Sequence, residues 1–346
     1  MMDSVIFLFL VQDGLVNGAI YALLGIALVL VFAVTRIIFI PQGEFVAYGG
    51  LTFALLSTGT IPGTAWLLAV FGAAAFVVEL WRSRHVTTGR KVLRQFAGAI
   101  VLPAAVLALT WLLARPDQSV WVNLALTLAI VAPMGPYVYR IAFQPLADAS
   151  VLTLFIAAVG VHLSMVGLGL VFFGAEGLRA PALTSASFDL GPLPVTGQTI
   201  AVFAVTLIMI AALYLFFDRV LYGKALRATA INRLGARLVG IPTAAAGQIA
   251  FALSSALGAV SGILIVPVTT VYYDTGFLIG LKGFVAAIVG ALASYPVTAV
   301  AALGVGLVEA FASFYASSFK EVIVFLLIVP VLMWRSLQTI HIEEDE

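Results

Sequence analysis

Long apolar runs, interrupted at intervals by glycine, proline and clusters of basic residues, set the pattern of this chain. Residues 11–35, 200–217 and 244–273 carry almost no charge. Each run is long enough to cross a bilayer as a helix, which takes about 20 residues for ~30 Å of hydrocarbon. Apolar spans are predicted at 14–35, 43–59, 62–80, 97–114, 119–139, 150–174, 198–218, 244–267, 277–294, 296–316 and 321–335, about 10–11 crossings in all. A short interfacial helix is expected over 4–12, ahead of the first span. Gly59-Thr60-Ile61-Pro62-Gly63 reads as a tight turn between the short spans 43–59 and 62–80. Ser294-Tyr295-Pro296 either separates two spans or marks a re-entrant arrangement within 277–316. The fold class that follows is all-α: a polytopic transmembrane helical bundle in one domain over residues 1–346.

Composition agrees with that pattern. The 346 residues are 63% apolar and 10% charged, whereas a soluble domain carries about 25% charged residues to cover its core. Lipid therefore supplies part of the solvent. The start, Met1-Met2-Asp3-Ser4, lacks the positive region of a secretory signal, so no cleaved signal is expected. Cysteine is absent, which excludes disulfides, thiolate metal sites and cysteine nucleophiles. A net charge of +1 argues against nucleic acid as a partner.

Enzymatic motifs are missing as well. The sequence has no His-Glu-x-x-His and no Gly-x-x-x-x-Gly-Lys-Ser/Thr nucleotide loop. His85, His162 and His341 are scattered, so neither a metal site nor a catalytic residue is assigned. Any ATP-driven action must come from another chain. His162 alone falls within a span, where a hydrogen bond across helices is expected of it.

Charge placement then orients the chain. Alternating sides along the spans puts thirteen of the seventeen basic residues on one face, among them Arg36, Arg82, Arg140, Arg219 and Arg237. By the positive-inside rule that face is cytoplasmic, which places the N-terminus outside and the acidic tail 343–346 inside. Residues 81–96 form a basic loop that holds its side in the cytoplasm. The cytoplasmic loop 219–243 differs in kind. Leu226, Ala230, Arg233 and Arg237 follow helical spacing, Gly235 allows a turn, and Gly240 with Pro242 ends the segment. Such a helix–Gly–helix element is either a docking surface for a soluble partner or an amphipathic loop on lipid headgroups. On the other side, 175–197 is the longest loop and either caps a pathway or receives an external partner.

Charge within the spans is scarce, as its cost of at least ~2.5 kcal/mol at the bilayer centre requires. Glu44 stands at the start of a span and Glu79 at the end of one; Asp274 and Lys282 flank another, and Glu309 is the clearest interior group. The absence of a ladder of carboxylates weighs against an ion-coupled carrier. Small residues recur at three- and four-residue spacing in 254–262 and 286–291. That pattern permits close helix packing, and a path between the packed helices is compatible with it.

Several stretches, in order, resemble one family. Residues 14–28, with Asn17, Gly18 and Tyr21, resemble the first span of the LivH-type permeases of branched-chain amino acid ABC importers. The segment 37–45 is similar to the family's Asn-Phe-Ala-(His/Gln)-Gly-Glu: Phe39, Gln42, Gly43 and Glu44 match, while Ile38 and Pro41 replace Asn and Ala. Residues 140–174 resemble its central portion, and 223–241 its cytoplasmic coupling segment. Residues 280–290, with Lys282 and Phe284, resemble its Gly-x-Lys-(Ala/Gly)-Phe-x-Ala-Ala-x-x-Gly run, and Glu309 follows at the family's distance. The resemblance covers most of the chain except about 82–118, an inserted segment with one basic loop and one extra span.

The resemblance implies an ABC importer permease in the lipid bilayer of a bacterial inner membrane, with its C-terminus cytoplasmic. It implies as partners a LivM-like second permease subunit, two ABC ATPase subunits and a periplasmic substrate-binding protein. ATP and Mg would bind the ATPase chains, and no cofactor this one. Coupling to the ATPases is expected of Leu226, Arg227, Ala230, Arg233, Gly235, Ala236, Arg237 and Gly240. Pathway or structural roles are expected of Asn17, Tyr21, Gln42, Gly43, Glu44, Lys282, Phe284 and Glu309. The alternatives are an autonomous secondary transporter of a small solute, the same importer class carrying urea or amides, and a structural membrane subunit.

Overall fold

In lipid a backbone must satisfy its own hydrogen bonds, so apolar runs of this length close as helices, and helices dominate the chain. The computed structural model describes residues 4–83, 89–184, 186–190 and 193–343. Arg84, His85 and the acidic tail beyond Glu343 lie outside the described residues. Helix α1 (Ser4–Thr35) is one continuous element of 32 residues, about 48 Å long. The separate interfacial helix expected over 4–12 is therefore its first turns: no proline interrupts 4–35, and Gly14 and Gly18 pack against Leu307 and Leu303 of a neighbouring helix. Arg36, at φ 62°, ends it.

After the non-helical stretch 36–41 comes α2 (Gln42–Ser57), then α3 (Gly63–Ser83). The inserted region forms α4 (Gly89–Phe96) and α5 (Leu102–Leu113), joined by a π-helical turn over 97–101. A side chain on Gly72 of α3 would collide with the Ala99 carbonyl, so this added helix lies close on α3. Next are α6 (Val120–Val131), α7 (Met134–Val138) beyond Pro133, and α8 (Val151–Phe173), which Ser150 caps by accepting from the Thr153 amide. Strands β1 (Ser187–Leu190) and β2 (Leu193–Thr196) pair antiparallel ahead of α9 (Gly197–Arg219). The remaining helices are α10 (Leu221–Ile231), α11 (Arg233–Leu238), α12 (Thr243–Ile265), α13 (Thr275–Val289), α14 (Tyr295–Tyr315), α15 (Lys320–Leu326) and α16 (Ile328–Glu343).

Among the described residues, nine helical stretches are long and apolar enough to cross a membrane. The two further predicted spans, 43–59 and 277–294, form shorter helices. Helices α2 and α13 have 16 and 15 residues, which reach about 24 and 22 Å at 1.5 Å per residue, short of the ~30 Å core. Non-helical chain makes up the difference. Gln42 donates to the carbonyl of Ser254, the middle residue of α12, so α2 starts at mid-depth. It then runs along the second half of α12, with Gly49 on Ala259 and Gly50 on Gly262. Helix α13 starts beside Gly43, passes Gly25 of α1 at Gly283, and ends with Gly290 against Thr298 of α14.

The chain thus repeats one pattern in opposite directions: full helix, non-helical segment, short helix, in α1–α2 and again in α12–α13. These elements form the centre. The apolar windows of α1 and α12 are 89% and 72% buried, against 6% for 317–334 at the periphery. One end of the bundle gathers Arg82, Arg233 and Arg237 around a shared cavity of about 270 Å³. The other end carries the strand pair and the start of α1.

Candidate functional site

Two buried polar clusters flank the centre. The first joins α1, α13, α14 and α15. Lys282 Nζ lies 2.5 Å from Glu309 Oε1, 3.3 Å from Glu321 Oε1, and 5.8 Å from the centroid of the Tyr21 ring. The Tyr21 hydroxyl donates to Glu309 Oε2 at 2.5 Å. Buried ions repay their desolvation only in arrangements as complete as this. Lys282, expected at the flank of a span, stands instead on the inside of α13 and is 6% exposed. Helix α13 begins at mid-depth, which carries its second turn into the bundle. Asn17, one turn before Tyr21, is half-buried. Phe284 sits apart, packed on the apolar cluster that holds Phe39, Phe143 and Phe251.

The second cluster lies where α2 and α13 meet. Gln42 and Ser254 exchange side-chain and backbone hydrogen bonds, which pin the start of α2 to α12. Gly43 touches Gly276 and Gly280 backbone to backbone, and a side chain on Gly43 would collide with the Gly276 carbonyl oxygen. Glu44, in the first turn of α2, is 0% exposed. His162, at the middle of α8, brings Nδ1 to 3.1 Å from Glu44 Oε1, the reach across helices expected of it. That distance suits an ion pair, but the angles do not make a hydrogen bond. Both Glu44 oxygens and His162 Nδ1 are left without a hydrogen-bond partner. The imidazole instead lies on the Phe277 ring, with centroids 4.7 Å apart. Tyr48, one turn beyond Glu44, donates to the Met165 carbonyl at 2.6 Å.

At the basic end the expected turn at Gly235 falls elsewhere. The break between α10 and α11 is at Asn232, whose Oδ1 accepts from the Gly235 amide at 2.8 Å and caps α11. Gly235 is helical, and Gly240, at φ 85°, closes the element. Leu226 and Ala236 are buried and hold the element to the bundle. Ala230 packs partly against the same cluster as Leu226, formed with Leu30 and Val34 of α1 and Ala246 and Ala250 of α12. Arg233 donates to the Ala147 carbonyl, and Arg237 donates to Thr243 Oγ1 and pairs with Asp148. Both arginines, of which coupling to the ATPases is expected, have partners within the chain. Arg227 and Gly240 are exposed. The outward surface is apolar instead: Ile231, Leu234, Leu238 and Val239 are all exposed, beside a cleft of about 490 Å³ lined by Leu221, Val239 and Ile249.

At the opposite end Arg179 donates to the Pro267 and Val268 carbonyls, and Leu178 pairs with Val271. The long loop is thereby fastened onto the segment that descends to α13.

The family model described as "Branched-chain amino acid transport system / permease component" matches residues 94–332. The chain is 25% identical over 340 residues to the high-affinity branched-chain amino acid transport system permease protein LivH of Escherichia coli (strain K12), covering 94% of each. It is 25% identical over 330 residues to the corresponding permease protein BraD of Pseudomonas aeruginosa, covering 93% of this chain and 92% of that one. A solved structure, PsaBC from Streptococcus pneumoniae in complex with Fab, overlays on 93% of this chain and 89% of its own at 12% identity, with a TM-score of 0.37.

Proposed function

Because the chain belongs to the family of branched-chain amino acid transport system permease components, we propose that it is the membrane-spanning subunit of an ATP-driven importer for branched-chain or other hydrophobic amino acids. The observation that carries this reading is the apolar face of α10 and α11. Ile231, Leu234, Leu238 and Val239 face away from the bundle at 84, 69, 81 and 77% exposure. Four exposed large apolar side chains on so short an element mark a docking surface, which suits a soluble ATPase subunit. In this reading two such subunits hold ATP and Mg, and a LivM-like permease pairs with this chain. A periplasmic binding protein delivers solute at the end that carries the strand pair. The basic end and the C-terminus then face the cytoplasm of a bacterial inner membrane.

Motion at the docked element has a direct route inward. Leu226 packs with Leu30 and Val34 of α1 and with Ala246 and Ala250 of α12, the two full helices that begin the opposed repeats. Closure of the ATPase pair would shift α10, and with it α1 and α12, between two packings of the same helices. A change of this kind requires contacts that differ in energy between the states. Replacing Leu234 and Leu238 by glutamate tests the docking face. ATP-driven uptake should fall by about tenfold or more, as the loss of central apolar anchors implies, while the chain still inserts in the membrane. Full-rate uptake by that variant would refute docking at α11. Uptake by the chain alone in proteoliposomes without nucleotide would favour an autonomous carrier.

A further inference from the structure

The first turns of α2 and α13 converge at mid-depth with glycine at the contact: Gly43 on one side, Gly276 and Gly280 on the other. A helix N-terminus leaves backbone N–H groups without intrahelical partners and carries about half a positive charge. Glu44 stands at this meeting point with no exposed surface and no hydrogen bond to either oxygen. The groups that face it are His162 of α8 at 3.1 Å and the carboxylate of Asp274. The hydroxyl of Tyr48 is committed to the Met165 carbonyl. Glu309, by contrast, is answered by Lys282 and Tyr21. A buried carboxylate short of donors is costly: His162 faces one oxygen at 3.1 Å, and the other has no partner. The donors it lacks are those that an ammonium group brings.

We propose that Glu44 is the mid-membrane recognition group for the ammonium of a zwitterionic amino acid. The N-termini of α2 and α13 receive the solute's carboxylate when their glycine contact opens. The proposal rests on the importer reading and deepens it by naming how the permease itself reads the solute. An ammonium offers three donors to the two oxygens and takes the place of the His162 imidazole beside Oε1. The carboxylate meets the first-turn N–H groups of Gly43 and Gly276, since those of Gln42, Glu44, Thr275 and Phe277 already donate to carbonyls just upstream. The aliphatic part lies against Phe277. Urea and simple amides bring neither charge, so the site fits an amino acid and rejects a neutral solute.

The test uses the assembled importer with its binding protein in proteoliposomes, measuring L-leucine uptake and ATP hydrolysis together. With Glu44→Gln, leucine moved per ATP hydrolysed should fall about tenfold or more, the scale of a lost hydrogen bond to a charged group. Glu44→Asp keeps the charge and should recover part of that ratio. A wild-type ratio in Glu44→Gln overturns the proposal. So does a parallel fall of uptake and hydrolysis that leaves the ratio intact, since that marks a packing role. Should Glu44→Gln not purify as a monodisperse assembly, Glu44→Asp decides: a ratio lowered about threefold supports the proposal, and an unchanged one overturns it. Failure of the importer reading would be seen separately, as absence of ATP-dependent leucine uptake by the wild-type assembly.

Discussion

Glu309 and Glu44 are both carboxylates inside the bundle, and they are treated in opposite ways. Glu309 has Lys282 at 2.5 Å and the Tyr21 hydroxyl at 2.5 Å, and Lys282 is shared with Glu321. That cluster ties four helices together and leaves little to gain from any rearrangement. Glu44 has an imidazole at ion-pair distance without a hydrogen bond, and it borders a contact made of glycine backbone. Glu309 is answered on both oxygens; Glu44 can be completed only by something that arrives. In a transport protein the first kind of site suits the parts that stay together and the second the parts that separate.

The largest effect should come from breaking the Lys282–Glu309 cluster. Lys282→Met takes the lysine from the buried Glu309 and the part-exposed Glu321, and removing one partner of a buried ion pair costs about 3–5 kcal/mol. The unfolding midpoint of the purified chain, scanned at a fixed rate in one detergent, should drop steeply. The double variant Lys282→Met with Glu309→Met should recover much of that loss. A single variant as stable as the parent would show that the cluster does not hold these helices. A smaller effect is expected at the glycine contact. Gly276→Ala forces a methyl group against the Gly43 carbonyl, and overpacking of this kind costs about 1–3 kcal/mol. Uptake should suffer more than stability there, because the α2–α13 contact can no longer close. Unimpaired uptake by Gly276→Ala would remove the moving part from the comparison.

How much of this was legible follows from where the information lies. Every predicted span corresponds to a helix, because runs of twenty apolar residues leave the backbone no other choice in lipid. That α2 and α13 fall short of a full crossing is only partly legible: a re-entrant arrangement within 277–316 is one of two readings of the sequence, and nothing comparable marks 43–59. Their composition is that of a crossing helix, and the shortening comes from the non-helical segments 36–41 and 266–274. Lys282 was misplaced at a flank for that reason. Tyr21, Lys282 and Glu309 were each singled out, but their meeting depends on three helices packing together. His162 is expected to reach across helices, though its partner Glu44 is far away in sequence, at the start of another span. Tyr48 and Glu321 give no signal of their own, and Ser254 stands out only as one of the small residues of 254–262. At α11 the glycine drew attention from Asn232, the better N-cap by its side chain. The exposed Ile231, Leu234 and Leu238 were missed because apolar residues in this chain are too common to stand out.

The smallest stability effect is expected at the residue with the largest proposed role. Glu44→Gln keeps size and shape and removes a charge that makes no hydrogen bond in the folded chain. What it gives up is the attraction to His162 and to two helix N-termini, worth about 0.3–1 kcal/mol for each helix end. What it relieves is the desolvation of a buried carboxylate, a penalty of the opposite sign and at least similar size. The two nearly cancel, so the unfolding midpoint should stay within the shift that about 1 kcal/mol produces. Measured beside Lys282→Met under the same conditions, this variant sets the two clusters against each other directly. Were Glu44→Gln to destabilise the chain as strongly as Lys282→Met, Glu44 would belong with the groups that hold helices together. The unanswered oxygens would then be the mark of a strained joint, and recognition of the solute would have to be sought along the rest of the path.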